Sequence, residues 1–263
     1  SGWISSNVLR YDATTGAFID EFVTAGNNGL DSAAGIAFGP DGHLYVASRL
    51  TSEVLRFDGS TGAFIDAFVT AGSGGLDEAE GLIFGPDGDL YVSDYQNSAV
   101  YKYDGTTGVF DSIFVTAGSG TLDKAEDLTF GPDGNLYVAD DNGSSVLRYD
   151  GTTGAFIDDF VPSGSNGLSF ATGIGFGPDG NLYVGSWGTD NVLRYDGTTG
   201  VFIDVYVDSV GNPLAGTDYF VFIPEHQVSV VPIPNAPPTA DTGGPYVISE
   251  GNSLNLVGSA SSD

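Results

Sequence analysis

The chain has no cysteine and no methionine among its 263 residues. Without cysteine, neither a disulfide framework nor a thiolate metal site can form. Basic side chains are scarce too: 7 Lys+Arg stand against 35 Asp+Glu, for a formal net charge of −28. Nucleic-acid binding depends on Lys and Arg meeting phosphates, so no nucleic-acid partner is expected, and an anionic membrane surface suits the chain no better. There is no run of about 18 apolar residues, so no membrane insertion is expected. Helical periodicity is also missing. What remains is 41% hydrophobic content with 17 Phe, 13 Tyr and 40 Gly. That composition describes a packed core cut by many tight turns, not a disordered chain. The lack of methionine adds the expectation of a fragment of something longer, with no signal peptide in view.

Repetition organises the chain. VLRYD begins at Val8, and its relatives begin at Val54, Val100, Val146 and Val192, each 46 residues on. Residues 54–99 and 100–145 share 28 identities in 46 ungapped positions, which speaks for duplication. Each unit reads as four strands. In the second unit these are Gly81–Phe84, Asp89–Asp94, Ala99–Asp104 and Val109–Val115, separated by GPDG, a polar loop and GTTG. Short aromatic and β-branched runs between Gly/Asp turns are strand signals, and four strands per unit of this length indicate propeller blades. Asp12, Asp58, Asp104, Asp150 and Asp196 recur in every unit, so they are expected to cap turns rather than mark a unique site.

The expected fold is therefore an all-β propeller over residues 1–232, with five blades in this chain. Tyr219–Pro224 and Gln227–Val231 stand where the first two strands of a fifth unit fall, while Asn7–Asp12 and Ala17–Val23 supply the other two. A blade shared between the two ends removes open sheet edges. Ser1-Gly2-Trp3 resembles Gly185-Ser186-Trp187, which leaves six or seven blades open for an intact parent. Residues 233–263 are expected to be a Pro-rich linker and an incomplete further domain.

The pattern GIAFGPDGHLYVAS…VLRYD resembles the NHL-repeat propellers and the wider group that holds streptogramin lyase and gluconolactonase-type enzymes. From Asn235, the NAPP opening, GGPY, EGNS and GSASSD resemble the start of a PKD-type, immunoglobulin-like domain. The PKD resemblance, together with the acidity, implies an extracellular or cell-surface protein.

Functional residues are expected on one face. The turns GPDG and DGTTG are nearly uniform, whereas the loops SGWISS, SRLTSE, SDYQNS, DDNGSS and SWGTDN differ from unit to unit. Diversified loops on a uniform scaffold point to contact with an asymmetric ligand, although simple drift of exposed loops gives the same pattern. The ligand-binding candidates are Trp3, Arg49, Asp94, Tyr95, Asp140, Asp141, Trp187 and Asp190, with Arg49 read as the lone base. Aromatic rings beside carboxylates suit a protein or a glycan. Glu80, Glu126, Asp127 and Asp218 fall near the propeller axis; they are the candidate metal ligands, for Ca²⁺ or Mg²⁺ since both take oxygen donors, and a solvated acidic rim is the competing reading. His43 and His226 align near the GPDG turn, away from the variable loops, and no catalytic residue is assigned. Streptogramin-lyase-like catalysis relies on a histidine at the variable face. The leading expectation is a non-catalytic extracellular binding module, monomeric in isolation. The alternatives are a Ca/Mg-dependent lyase or lactonase of the resembled group, and a purely structural spacer.

Overall fold

Strands form wherever aromatic and β-branched residues run between Gly- and Asp-rich turns. A computed structural model describes residues 5–12, 15–208, 217, 219–223 and 227–230. Blade one comprises β3 (Ala33–Phe38), β4 (Leu44–Ser48), β5 (Glu53–Phe57) and β6 (Phe64–Val69), following β1 (Val8–Tyr11) and β2 (Phe18–Val23). Blade two holds β7 (Ala79–Phe84), β8 (Leu90–Asp94), β9 (Ala99–Tyr103) and β10 (Phe110–Val115). Blade three holds β11 (Ala125–Phe130), β12 (Leu136–Asp140), β13 (Ser145–Tyr149) and β14 (Phe156–Val161). Blade four holds β15 (Ala171–Phe176), β16 (Leu182–Ser186), β17 (Asn191–Tyr195) and β18 (Phe202–Val207), before β19 (Phe220–Ile223) and β20 (Gln227–Val230). Each blade is a four-stranded antiparallel sheet in sequence order, while β1–β2 and β19–β20 form two-stranded sheets. Among the described residues there is no α-helix, only single 3-10 turns in the loops. The described residues thus form an all-β propeller with four four-stranded blades and two two-stranded sheets.

The inner strands β3, β7, β11, β15 and β19 adjoin one another in that order. At Gly35 and Gly81 the approach leaves no room for a side chain. A Cβ on Gly81 would meet Asp127 Oδ1 at 2.8 Å and the Glu126 carbonyl oxygen at 2.9 Å. Between blades, a tyrosine of the second strand packs edge-on against two phenylalanines. Tyr45 meets Phe68 of its own blade and Phe84 of the next, both at 4.9 Å. Tyr91 and Tyr137 repeat the arrangement with Phe114 and Phe130, and with Phe160 and Phe176.

The face that carries GPDG and DGTTG is built from aspartates. Asp58 Oδ1 accepts the Thr61 N–H and hydroxyl, each at 2.8 Å, and Asp12, Asp104, Asp150 and Asp196 do the same one unit apart. These donors hold Asp58, Asp104, Asp150 and Asp196 below the usual carboxylate range. In GPDG, Asp41 accepts the Tyr45 hydroxyl at 2.9 Å, and Arg56 forks onto Asp66 at 3.1 and 2.6 Å across β5 and β6. Arg10, Arg148 and Arg194 make the same fork to Asp20, Asp158 and Asp204. Blade two has Ser112 in place of that aspartate, and Lys102 turns to Asp87 and Asp89 instead.

Candidate functional site

On the opposite face, two repeat positions of each blade are locked together by backbone. One follows the second strand and holds Arg49, Tyr95, Asp141 or Trp187. The other precedes the inner strand and holds Ser32, Glu78, Lys124 or Phe170. The N–H of the first donates to the carbonyl of the second: Arg49 to Ser32 at 3.1 Å, Tyr95 to Glu78 at 3.0 Å, Asp141 to Lys124 at 3.0 Å, and Trp187 to Phe170 at 3.1 Å. The second position is left-handed in every blade, with φ of 55, 61, 71 and 54°. Its own N–H is held by a serine hydroxyl from the preceding unit: Ser6, Ser52, Ser98 or Ser144, at 2.9 to 3.0 Å. Because the backbone is fixed the same way each time, these two positions keep one geometry whichever side chain they carry.

They vary into a network that crosses blades one to three. Arg49 forks onto Glu78 Oε2 at 3.2 and 2.9 Å. Its Nε also stands 2.9 Å from Glu80 Oε2, a charge contact rather than an aligned hydrogen bond. Burial works against the Arg49 charge, but Glu80 and Glu78, reinforced by Glu126, outweigh it and raise the guanidinium pKa. The same guanidinium lies 4.4 Å from the centre of the Tyr95 ring, and Lys124 Nζ lies 4.7 Å from it. The Tyr95 hydroxyl donates to Asp141 Oδ2 at 3.0 Å. Burial, with the Asp141 charge beside it, pushes the Tyr95 phenol above its ordinary value. Burial likewise raises the Asp141 carboxyl, against the Tyr95 hydrogen bond. Arg49 is therefore not the only base on this face. Lys124 shares it, and its signal was available: it occupies the repeat position of Glu78 in the inter-blade loop.

Asp94 and Asp140 sit apart from that network, buried at the ends of β8 and β12. Asp94 accepts the N–H groups of Asp77 at 2.9 Å and Asn97 at 2.7 Å; Asp140 accepts those of Asp123 at 3.0 Å and Gly143 at 3.1 Å. Ser48 and Ser186 perform the same service, taking the N–H of Asp31 and Ser169 at 3.0 Å. The two carboxylates thus point into their loops. Burial raises Asp94 and pushes Asp140 up to about 6. Asp190, with φ of 56°, occupies the repeat position of Ser52, Ser98 and Ser144. Trp187 is 45% exposed and meets the edge of Phe170 at 6.0 Å. Trp3 lies outside the described residues.

At the axis, Glu80 Oε1 accepts the Tyr219 hydroxyl at 3.2 Å, a contact between residues 139 apart in sequence. Asp127 accepts the N–H of Ile174 from blade four and of Leu128, each at 2.9 Å. Among the described residues, no group of three or more His, Cys, Asp and Glu comes together to hold a metal ion. Glu80 faces Arg49 and Tyr219, and Asp127 holds two backbone N–H groups. Both carboxylates are thus engaged with protein groups. Asp218 and His226 lie outside the described residues, and His43 sits at the start of β4, beside the GPDG turn on the opposite face.

No family model matches the chain, and no curated protein does. Among solved structures, it is similar to a catalytically inactive virginiamycin B lyase from Staphylococcus aureus with quinupristin. That match has 14% identity, covers 87% of this chain and 71% of the other, and has a TM-score of 0.62. It is also similar to a gluconolactonase from Xanthomonas campestris, at 16% identity over 84% of this chain and 74% of the other, with a TM-score of 0.63. A chain in a nidogen/laminin complex matches at 17% identity over 76% and 72%, with a TM-score of 0.58. At these identities the likeness establishes the propeller and no activity.

Proposed function

We propose that this chain is a non-catalytic binding module of an extracellular protein, a five-bladed propeller that takes a protein or glycan ligand on its loop face. The half-sheets β1–β2 and β19–β20 make up the fifth blade in this reading, and residues 233–263 form the linker and the start of the PKD-type domain. The observation that carries the proposal is the pair of repeat positions that keep one backbone geometry and carry a different side chain in every blade. A spacer has no use for such a surface. The reading agrees with the placement of His43 at the opposite face and with the commitment of Glu80 and Asp127 to protein partners. The test is a screen of the folded chain against arrays of extracellular proteins and glycans, repeated with Tyr95→Ala and Trp187→Ala. Ligands lost by either variant, and kept when the exposed Val109 of the opposite face is changed to Thr, support it. Hydrolysis of a lactone, or elimination from a cyclic depsipeptide, would turn the reading to the enzyme.

A further inference from the structure

Blade four departs from the others at both variable positions, where it carries Phe170 and Trp187. Blade two shows how this scaffold treats an aromatic ring after the second strand. There Tyr95 is covered by two cations, Arg49 at 4.4 Å and Lys124 at 4.7 Å. Trp187 occupies the equivalent position with its indole 45% exposed, touched edge-on by a Phe170 ring that is itself 41% exposed.

No lysine or arginine is left to cover it. All seven of the chain's Lys and Arg are committed elsewhere. Arg10, Arg56, Arg148 and Arg194 fork onto Asp20, Asp66, Asp158 and Asp204, and Lys102 sits on Asp87 and Asp89. Arg49 and Lys124 serve the Tyr95 network.

The aromatic pair is also held in place. Phe170 keeps the left-handed backbone, φ 54°, that is costly for a bulky side chain. Gly188 gives its ring room: a Cβ there would meet Ser169 Oγ at 2.5 Å and Phe170 Cδ2 at 3.1 Å. Asp141 stands at the equivalent position one blade before, and Asp190 lies in the same loop. With a net charge of −28, the field favours a cationic partner and repels an acidic one.

We propose that Phe170 and Trp187 anchor a basic protein partner, one Arg or Lys of which lies over the Trp187 indole as Arg49 lies over Tyr95. The proposal rests on the loop face being the binding surface. Exposed aromatics of this kind act as hot spots when a partner desolvates them, and an added cation strengthens the contact.

The experiment uses fluorescence, because the chain has only two tryptophans. In a Trp3→Phe background, Trp187 is the sole reporter. It is titrated with an Arg/Ser copolymer peptide, with a Glu/Ser peptide of the same length, and with a neutral cello-oligosaccharide. The expected result is saturable quenching by the basic peptide alone, weakening as salt is raised. Calorimetry with Trp187→Ala should show a loss of about tenfold in affinity. Trp187→Tyr should retain most of the binding, and Phe170→Ser, which installs the blade-one residue, should lose part of it. Unchanged melting curves exclude misfolding. If Trp187→Ala binds as the parent does while Tyr95→Ala does not, the anchor is overturned and the loop-face reading stands. If neither variant changes binding, both fall. Quenching by the oligosaccharide instead overturns the basic partner in favour of a glycan.

Discussion

Replacing Asp140 with Asn should make the protein more stable at neutral pH and leave it unchanged in acid. Asp140 is 1% exposed at the end of β12. Burial pushes its carboxyl up to about 6 from 3.8, with the Asp123 charge adding to the rise. The Asp123 and Gly143 N–H groups and the Ser145 hydroxyl pull the other way and do not prevail. A pKa raised by folding means that the folded protein holds this proton more tightly than the unfolded chain does. The residue's contribution to stability is therefore greatest below about pH 3.8 and is lost as pH rises through about 6. The shift converts to a ceiling of about 3 kcal/mol at pH 7.5, reduced to about 2 kcal/mol by relaxation of the loop around the charge. Asparagine keeps an oxygen for both N–H groups and carries no charge. Urea denaturation of parent and Asp140→Asn across pH 4–8 gives the difference directly. Subtracting the parent curve cancels the opposite slope from Asp58, Asp104, Asp150 and Asp196, whose pKa values folding lowers. The variant should gain about 2 kcal/mol at pH 7.5 and within about 0.5 kcal/mol of nothing at pH 4. An equal loss at both pH values would refute the reasoning, since it would mean that the N–H donors stabilise an ionised carboxylate here.

Arg49→Met leaves Glu80, whose side chain is only 3% exposed, without its counter-charge, and should cost about 3–5 kcal/mol in urea denaturation. A cost under about 1 kcal/mol would show that the pair is not holding blades one and two together. Gly81→Ala drives a methyl into the Asp127 backbone, with Cα at 2.9 Å, and should cost about 1–3 kcal/mol by the same measurement. An unchanged midpoint would mean that the axis has slack. Millimolar calcium should leave the melting temperature in place, because Glu80 and Asp127 have protein partners. A rise that follows free calcium would overturn the assignment of those oxygens.

The architecture was legible because duplication writes it out several times. The expected strand at Val109–Val115 is β10 at Phe110–Val115, and Ala99–Asp104 is β9 at Ala99–Tyr103. The turn role of the recurrent aspartates follows from chemistry that acts over three residues, which a sequence displays directly. The separation of uniform turns from diversified loops was legible for the same reason. What escaped was direction and distance. Asp94 and Asp140 read as exposed acids because their loops are polar. Aligned against Ser48 and Ser186, however, they occupy a position that must receive a buried N–H, and that signal could have been taken. The approach of Tyr219 to Glu80 leaves no trace in spacing, since it depends on how the inner strands converge. Nor does the sequence alone tell that Arg49, Tyr95, Lys124 and Asp141 form one network.

Acidity therefore has two separate physical meanings in this chain. In the GPDG and DGTTG turns each aspartate has a donor built into the same repeat, so every copy brings its own partner. At the variable positions of the loop face the partners come from neighbouring blades: Arg49 reaches Glu78, and Tyr95 reaches Asp141. These contacts tie the variable positions of blades one to three to one another. The coupling runs from Arg49 through Tyr95 to Asp141, and in blade four it gives way to two half-exposed aromatic rings. In the proposed complex a partner's cation over Trp187 would extend the same alternation of cation and ring by one place.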